Sequence, residues 1–291
     1  MFSGSYVAIV TPFANGKIDY DALEKLIELH VESGTAGIVP CGTTGESPTL
    51  THAEHKEIIE FVVERVNGRV TVIAGTGSNS TAEAIELTVA AREAGADASL
   101  QVAPYYNKPE PEGAYRHFRA IAEASRLPMI LYNIPGRTGR AIEMETILRL
   151  AEDTSELVAV KAADGSPDNA THLCRLTELD ILSGDDSLTL PLIAVGAKGV
   201  ISVVANFVPA DMTRFIAAAL DGDMQEARRL HHALFPLFRA AFIESNPIPL
   251  KTAMGMLGLC SDELRLPLSP MAPGNRDKLA QALKDYGLSV A

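Results

Sequence analysis

The chain has 291 residues, 47% hydrophobic, 21% charged and 5% aromatic, with no Trp. That composition excludes intrinsic disorder and suits either one large α/β domain or two ordinary ones. A formal charge of −12 argues against nucleic-acid binding, because such a surface repels a phosphate backbone, and it raises a question for any anionic substrate.

Met1 to Ser5 show no basic region ahead of a long apolar stretch, so no signal peptide is expected. No apolar run approaches the ~20 residues that cross a bilayer. From Tyr6 to about Gly222, short apolar, β-branched runs alternate with amphipathic stretches. Strands are predicted at 6–11, 37–41, 70–74 and 98–103, then at 128–132, 157–161, 180–183 and 199–204. Continuous apolar strands imply burial on both faces, as in a parallel sheet covered by helices. The helix over 21–31 carries Leu23, Leu26, Ile27 and Val31 on one face and stops near Gly34. Thr51 with Glu54, and Ser80 with Glu83, form capping boxes that start two more. Gly68, Gly95 and Asp97 mark returns from helix to strand.

Eight β-then-α units spaced by roughly 30 residues predict an α/β fold, a (β/α)8 TIM barrel over 1–222. A doubly wound sheet has fewer strands and places its phosphate glycines after strand 1. There the chain reads Thr11-Pro12-Phe13, with no dinucleotide fingerprint. Beyond Gly222 the pattern turns helical at 224–244, 248–257 and 275–286, a C-terminal helical appendage over 223–291 packed on the barrel rather than a separate functional module. Cys41, Cys174 and Cys260 are too few and too scattered for a disulfide framework, so reduced thiols and a cytoplasmic protein are expected.

Barrel enzymes draw their active sites from the C-terminal ends of strands. Of nine lysines, only Lys161 stands at such an end, after Leu157-Val158-Ala159-Val160. An ammonium in a barrel mouth loses hydration, which lowers its pKa and frees the amine as a nucleophile. The plainer reading is a buried lysine paired with a carboxylate, Asp185 or Glu46. An imine-forming lysine needs a proton shuttle, and Tyr132 ends the neighbouring strand; alone, a buried tyrosine is a packing residue. Gly42-Thr43-Thr44-Gly45 offers free N–H groups and two hydroxyls, a nest for a carboxylate, although Gly/Thr turns are common. Arg137 suits a second carboxylate, or is simply a loop arginine. His52 and His55 share a helix face, a spacing that also fits a metal pair. No third ligand has suitable spacing, so no metal is expected.

Several segments together resemble the 4-hydroxy-tetrahydrodipicolinate synthase (dihydrodipicolinate synthase) family. They are Gly42-Thr43-Thr44-Gly45-Glu46-Ser47, Ala74-Gly75-Thr76-Gly77, Pro104-Tyr105-Tyr106-Asn107, Tyr132-Asn133-Ile134-Pro135-Gly136-Arg137-Thr138, Ser183-Gly184-Asp185-Asp186, Gly199-Val200-Ile201-Ser202 and Asn246-Pro247-Ile248-Pro249. The resemblance spans Ser3 to the final helix. It implies a class I aldolase-like mechanism in which Lys161 forms an imine with pyruvate, and the derived enamine attacks aspartate semialdehyde. Tyr132, Thr44 and Tyr106 would form the proton relay, Tyr106 reaching into a neighbouring subunit's site. Thr43 and Thr44 would hold the pyruvate carboxylate, Arg137 that of the semialdehyde, and Gly184 and Ile201 would lend backbone groups. The family implies a homotetramer of tight dimers, without metal or organic cofactor. It also implies an L-lysine effector site at His52, His55, Asn79, Glu83 and Tyr105; solvated helix histidines are the alternative. One departure stands out: Ala162 follows the lysine where the family usually has an acid, which puts the lysine's environment or local stability in question. Other pyruvate-dependent aldolases, such as N-acetylneuraminate lyase or a keto-sugar-acid aldolase, share the Lys and Tyr, but Arg137 and the Tyr105-Tyr106 pair favour the semialdehyde. A non-catalytic metabolite-binding paralogue would be expected to lack Lys161 or Tyr132.

Overall fold

The structure, a computed structural model, describes residues 1–290; Ala291, the last residue of the expected appendage, lies outside them. Eight parallel strands close on themselves: β1 Gly4–Ala8, β2 Gly37–Val39, β3 Thr71–Gly75, β4 Ala98–Val102, β5 Met129–Asn133, β6 Leu157–Ala162, β7 Asp180–Ser183 and β8 Gly199–Ser202. Each strand pairs with the next in sequence, and β8 returns to β1 from Gly4↔Gly199 to Val7↔Ser202. This is the expected (β/α)8 barrel.

Four strands end earlier than the apolar pattern suggests, β4 by a single residue at Val102. β1 stops at Ala8, β2 at Val39 and β8 at Ser202. Ile9, Val10, Val203 and Val204 beyond those ends are still buried, so hydrophobicity runs on where the ladder does not. Val10 N, for example, donates to the Asn206 side chain (3.1 Å) instead of to a neighbouring strand. A short hairpin, Phe13–Ala14 with Lys17–Ile18, follows β1 and was not foreseen.

Alternation along the strands sorts their side chains into two layers. Tyr6, Leu100, Ile130, Tyr132, Ala159, Leu182 and Ile201 form the apolar interior of the barrel. Leu131, Val160, Ala162 and Ile181 instead belong to the cluster between strands and helices, with Phe118 and Leu150. Ala162 therefore faces the helix layer, on the opposite side of β6 from Lys161. The missing acid is not a missing partner of the amine.

Local chemistry starts the helices. Asp19 accepts from Ala22 N (2.9 Å) to open Tyr20–Glu32, and a complete capping box of Thr51 and Glu54 opens His52–Val66. The second expected box forms only by half. Ser80 caps Thr81–Ala94 through Glu83 N, but the Glu83 carboxylate turns away to Ser78 and His52. After Pro209–Leu220 the chain continues as Met224–Ala240, Ile248–Met256 and Pro273–Asp285. The first of these stops four residues before the expected Glu244, and a turn-rich stretch to Pro247 then leads back to the barrel rim. Leu230, Leu234, Met254 and Leu279 sit in the same apolar cluster as Leu26, Ile58 and Phe215, so the C-terminal helices share the barrel's core. Among the described residues, no helix is long and apolar enough to cross a membrane.

Candidate active site

Lys161 is the penultimate residue of β6, with Tyr132 of β5 and Leu182 of β7 as its register partners. Its side chain is 5% exposed, and Nζ lies 4.2 Å from the centre of the Tyr132 ring. Burial pushes the amine down to about 8; the negative Asp186 opposes that shift and the positive Arg137 adds to it. Neither carboxylate considered from the sequence pairs with Lys161. Asp185 caps a short turn, its Oδ1 accepting from Ser187 N and Oγ (2.8 Å each). Glu46 instead meets Lys251 at 2.5 Å. Lys251 is fully buried in Ile248–Met256.

Gly184 gives Lys161 its space. A Cβ on Gly184 would come within 2.7 Å of Ala163 Cβ and 3.1 Å of Lys161 Cε, so any larger residue would clash with Ala163 and crowd the lysine stem. Burial also pushes the Tyr132 phenol up to about 12. At neutral pH it is a protonated donor beside an amine that loses its proton easily.

The loop after β2 supplies the nest. Cys41 and Glu46 both adopt left-handed backbone (φ 55° each), and Glu46 N → Thr43 O (3.1 Å) and Ser47 N → Gly42 O (3.3 Å) close the turn between them. Thr43, Thr44, Tyr132, Arg137, Lys161 and Gly184 line one pocket at the C-terminal mouth of the barrel. Two expected residues are not among the pocket's lining side chains in this chain. Ile201 points into the barrel interior, and Val203 rather than Ile201 forms part of the pocket wall. Tyr106 is 91% exposed, with φ 71°, and does not line the pocket.

Asn246 and Phe242 were missed as pocket residues; both come from the turn ahead of Ile248–Met256. Asn246 is 5% exposed. Its Nδ2 donates to Thr44 Oγ1 (3.0 Å), and its carbonyl accepts from Arg137 (3.0 Å). The appendage is thus part of the site's wall, not merely packing. Only the Asn246-Pro247-Ile248-Pro249 motif hinted at this.

A second pocket gathers His52, His55, Glu83 and Tyr105. His52 pairs with Glu83, His55 Nε2 lies 2.7 Å from Gly75 O, and Asn79 Nδ2 donates to Tyr105 O (3.1 Å).

A parallel eight-stranded barrel whose mouth holds a buried lysine, with no ion-pair partner among the described residues, beside a phenol and a Gly-Thr-Thr-Gly loop has the build of an aldolase-type lyase. The model of the dihydrodipicolinate synthetase family matches residues 1–286, and the chain belongs to that family. A 4-hydroxy-tetrahydrodipicolinate synthase of Pelobacter propionicus is 53% identical over 290 residues, 99% of this chain and 100% of that one. The crystal structure of dihydrodipicolinate synthase from Aquifex aeolicus superposes with a TM-score of 0.98 at 51% identity, covering 99% of each chain. The chloride-inhibited enzyme of Acinetobacter baumannii, complexed with pyruvate, gives 0.96 at 47% identity over 99% of this chain and 100% of that one. The enzyme of Cyanidioschyzon merolae with lysine bound gives 0.96 at 44% identity over 99% of each.

Proposed function

We propose that this chain condenses pyruvate with L-aspartate 4-semialdehyde, the reaction of a 4-hydroxy-tetrahydrodipicolinate synthase, in lysine and diaminopimelate biosynthesis. The observation that carries the reading is the buried Lys161 amine, with no carboxylate partner, beside Tyr132 and in one pocket with Thr43 and Thr44. Thr43 and Thr44 hold the pyruvate carboxylate through N–H and hydroxyl groups. Lys161 adds to the keto carbon, Tyr132 passes a proton to the departing oxygen, and water leaves to give the imine. Loss of a methyl proton gives the enamine, whose carbon attacks the aldehyde. Arg137 at the rim holds the acceptor's carboxylate. The acceptor's own amine then attacks the imine carbon, closes the ring and releases Lys161.

Borohydride added with pyruvate should fix a reduced adduct on the peptide containing Lys161; an unmodified Lys161 would refute the imine. An acceptor panel then decides the second substrate, and turnover of N-acetylmannosamine or a sugar aldehyde in preference to aspartate semialdehyde would favour another aldolase.

The same proposal extends outward from the pocket. Residues 1–222 form the catalytic barrel, with the appendage as its flank. Gly184 and Ile201 lend backbone groups to bound pyruvate. Tyr106, thrust outward on left-handed backbone, completes the relay in a neighbouring copy within a homotetramer built as a dimer of dimers. L-lysine is the effector of the His52, His55, Asn79, Glu83 and Tyr105 cluster, where Glu83 suits an ammonium; millimolar lysine that leaves activity and melting temperature unchanged would remove this part. A cytoplasmic setting accords with three unpaired cysteines.

A further inference from the structure

Among the described residues two lysines are buried, and one of them, Lys161, faces the pocket. Lys251 and Glu46 are each fully shielded side chains, 2.5 Å apart at Nζ and Oε1, and neither lines the active-site pocket. Their partners all belong to two parts of the chain. Glu46 Oε2 accepts from Arg265 N (3.1 Å), and Lys251 Nζ donates to Glu263 O (2.9 Å). The Arg265 guanidinium grips Glu54 through both carboxylate oxygens (2.7 and 2.9 Å) and donates to Thr49 O (3.1 Å). Both cations approach the buried Phe13 ring, at 4.0 and 4.4 Å. The C-terminal segment therefore holds the far flank of the loop that carries Thr43 and Thr44.

That loop needs holding. Non-glycine residues in left-handed conformations persist only where the surroundings over-determine them, and this loop has one at each end, Cys41 and Glu46. Glu46 also closes the turn over Thr43 through its own N–H. We infer that the Glu46–Lys251 ion pair is a positioning device for pyruvate, fixing the Thr43–Thr44 nest from the C-terminal helices without touching the substrate. The inference rests on the function proposed above. Arg265 forms the outer half of the same clamp.

The pair predicts a separation of binding from turnover. The double variant E46Q/K251M replaces the pair with neutral groups of similar shape, which avoids stranding one buried charge. Its half-saturating pyruvate concentration, read from borohydride trapping and from steady-state rates, should rise about tenfold or more. Turnover at saturating pyruvate should stay within about threefold of wild type, and the half-saturating acceptor concentration within about twofold. A purely structural role would lower the active fraction, hence the apparent kcat, and leave the pyruvate KM unmoved; that result overturns the inference. If the double variant does not fold, R265K tests the outer half of the clamp, since lysine cannot make the paired contact with Glu54. A threefold or greater rise in pyruvate KM supports the clamp, and a smaller one refutes it. A wild-type chain that traps no pyruvate defeats the function reading itself, and this inference with it; trapping by wild type with unchanged saturation in the variants defeats the clamp alone.

Discussion

Replacing Lys161 by Met should make the protein more stable while abolishing its activity. Burial lowers the amine to about 8 in the folded chain against an ordinary 10.5, a penalty of about 3 kcal/mol at ~1.36 kcal/mol per pKa unit. Below pH 8 the lysine is protonated both folded and unfolded, so the folded state carries the whole penalty of a buried charge. Between 8 and 10.5 the folded lysine has lost its proton while the unfolded one keeps it, and wild-type stability climbs with pH. Above 10.5 the penalty is gone. Lys161→Met keeps the stem and removes the charge, so urea unfolding at pH 7 should show the variant more stable by about 2–3 kcal/mol, somewhat less than the full penalty because the fit of Met is imperfect. That advantage should shrink steadily as pH rises toward 10. Loss of stability on substitution would refute the reasoning, because breaking a buried ion pair costs about 3–5 kcal/mol, the opposite sign. A pH-independent difference would refute it as well. The same shift has a kinetic side: at pH 7 about a tenth of the folded lysine is free amine, against roughly 0.03% for an unperturbed one.

Wild-type kcat/KM for pyruvate should rise about tenfold per pH unit and level off near pH 8, the value to which burial lowers Lys161; a rise continuing beyond pH 10 would contradict an easily deprotonated amine. Tyr132→Phe removes the phenol but keeps the ring against Lys161, so kcat should fall about 10²–10³-fold with the fold intact by circular dichroism. Gly184→Ala places a methyl 3.1 Å from Lys161 Cε, and pyruvate trapping should drop at least about tenfold. Arg137→Ala should raise the acceptor's KM about tenfold or more, with pyruvate trapping unchanged; impaired trapping would move Arg137 to the first substrate.

Much of the site was legible because a parallel barrel turns sequence position into location. Once eight apolar runs are counted, strand ends share one rim, and Tyr132 and Lys161 become neighbours from their positions in the sequence. The electrostatic partners were not legible. Glu46 lies in the pocket loop, and nothing in its local sequence says that its carboxylate turns away toward a lysine on a helix near the other end of the chain. Asn246 was hidden for the same reason: its value lies in reaching Thr44 and Arg137 at once, a contact between distant segments that periodicity cannot report. Tyr106 shows the limit from the other side. Its exposure and backbone conformation are properties of one chain, whereas its proposed role belongs to two.

Because Asn246, Lys251 and Arg265 come from the last part of the chain, the pocket is completed late in synthesis. Strand β8 has already emerged when Ser202 leaves the ribosome, so the barrel can begin to close while Glu46 has no counter-charge and Thr44 no Asn246. At roughly 5–20 residues per second, the interval from Ser202 to Arg265 lasts about 3 to 13 seconds. A nascent chain in this state carries Lys161 without the contacts that finish the Thr43–Thr44 loop. On the function proposed above, the order of translation brings the amine into the chain before the contacts that would direct it.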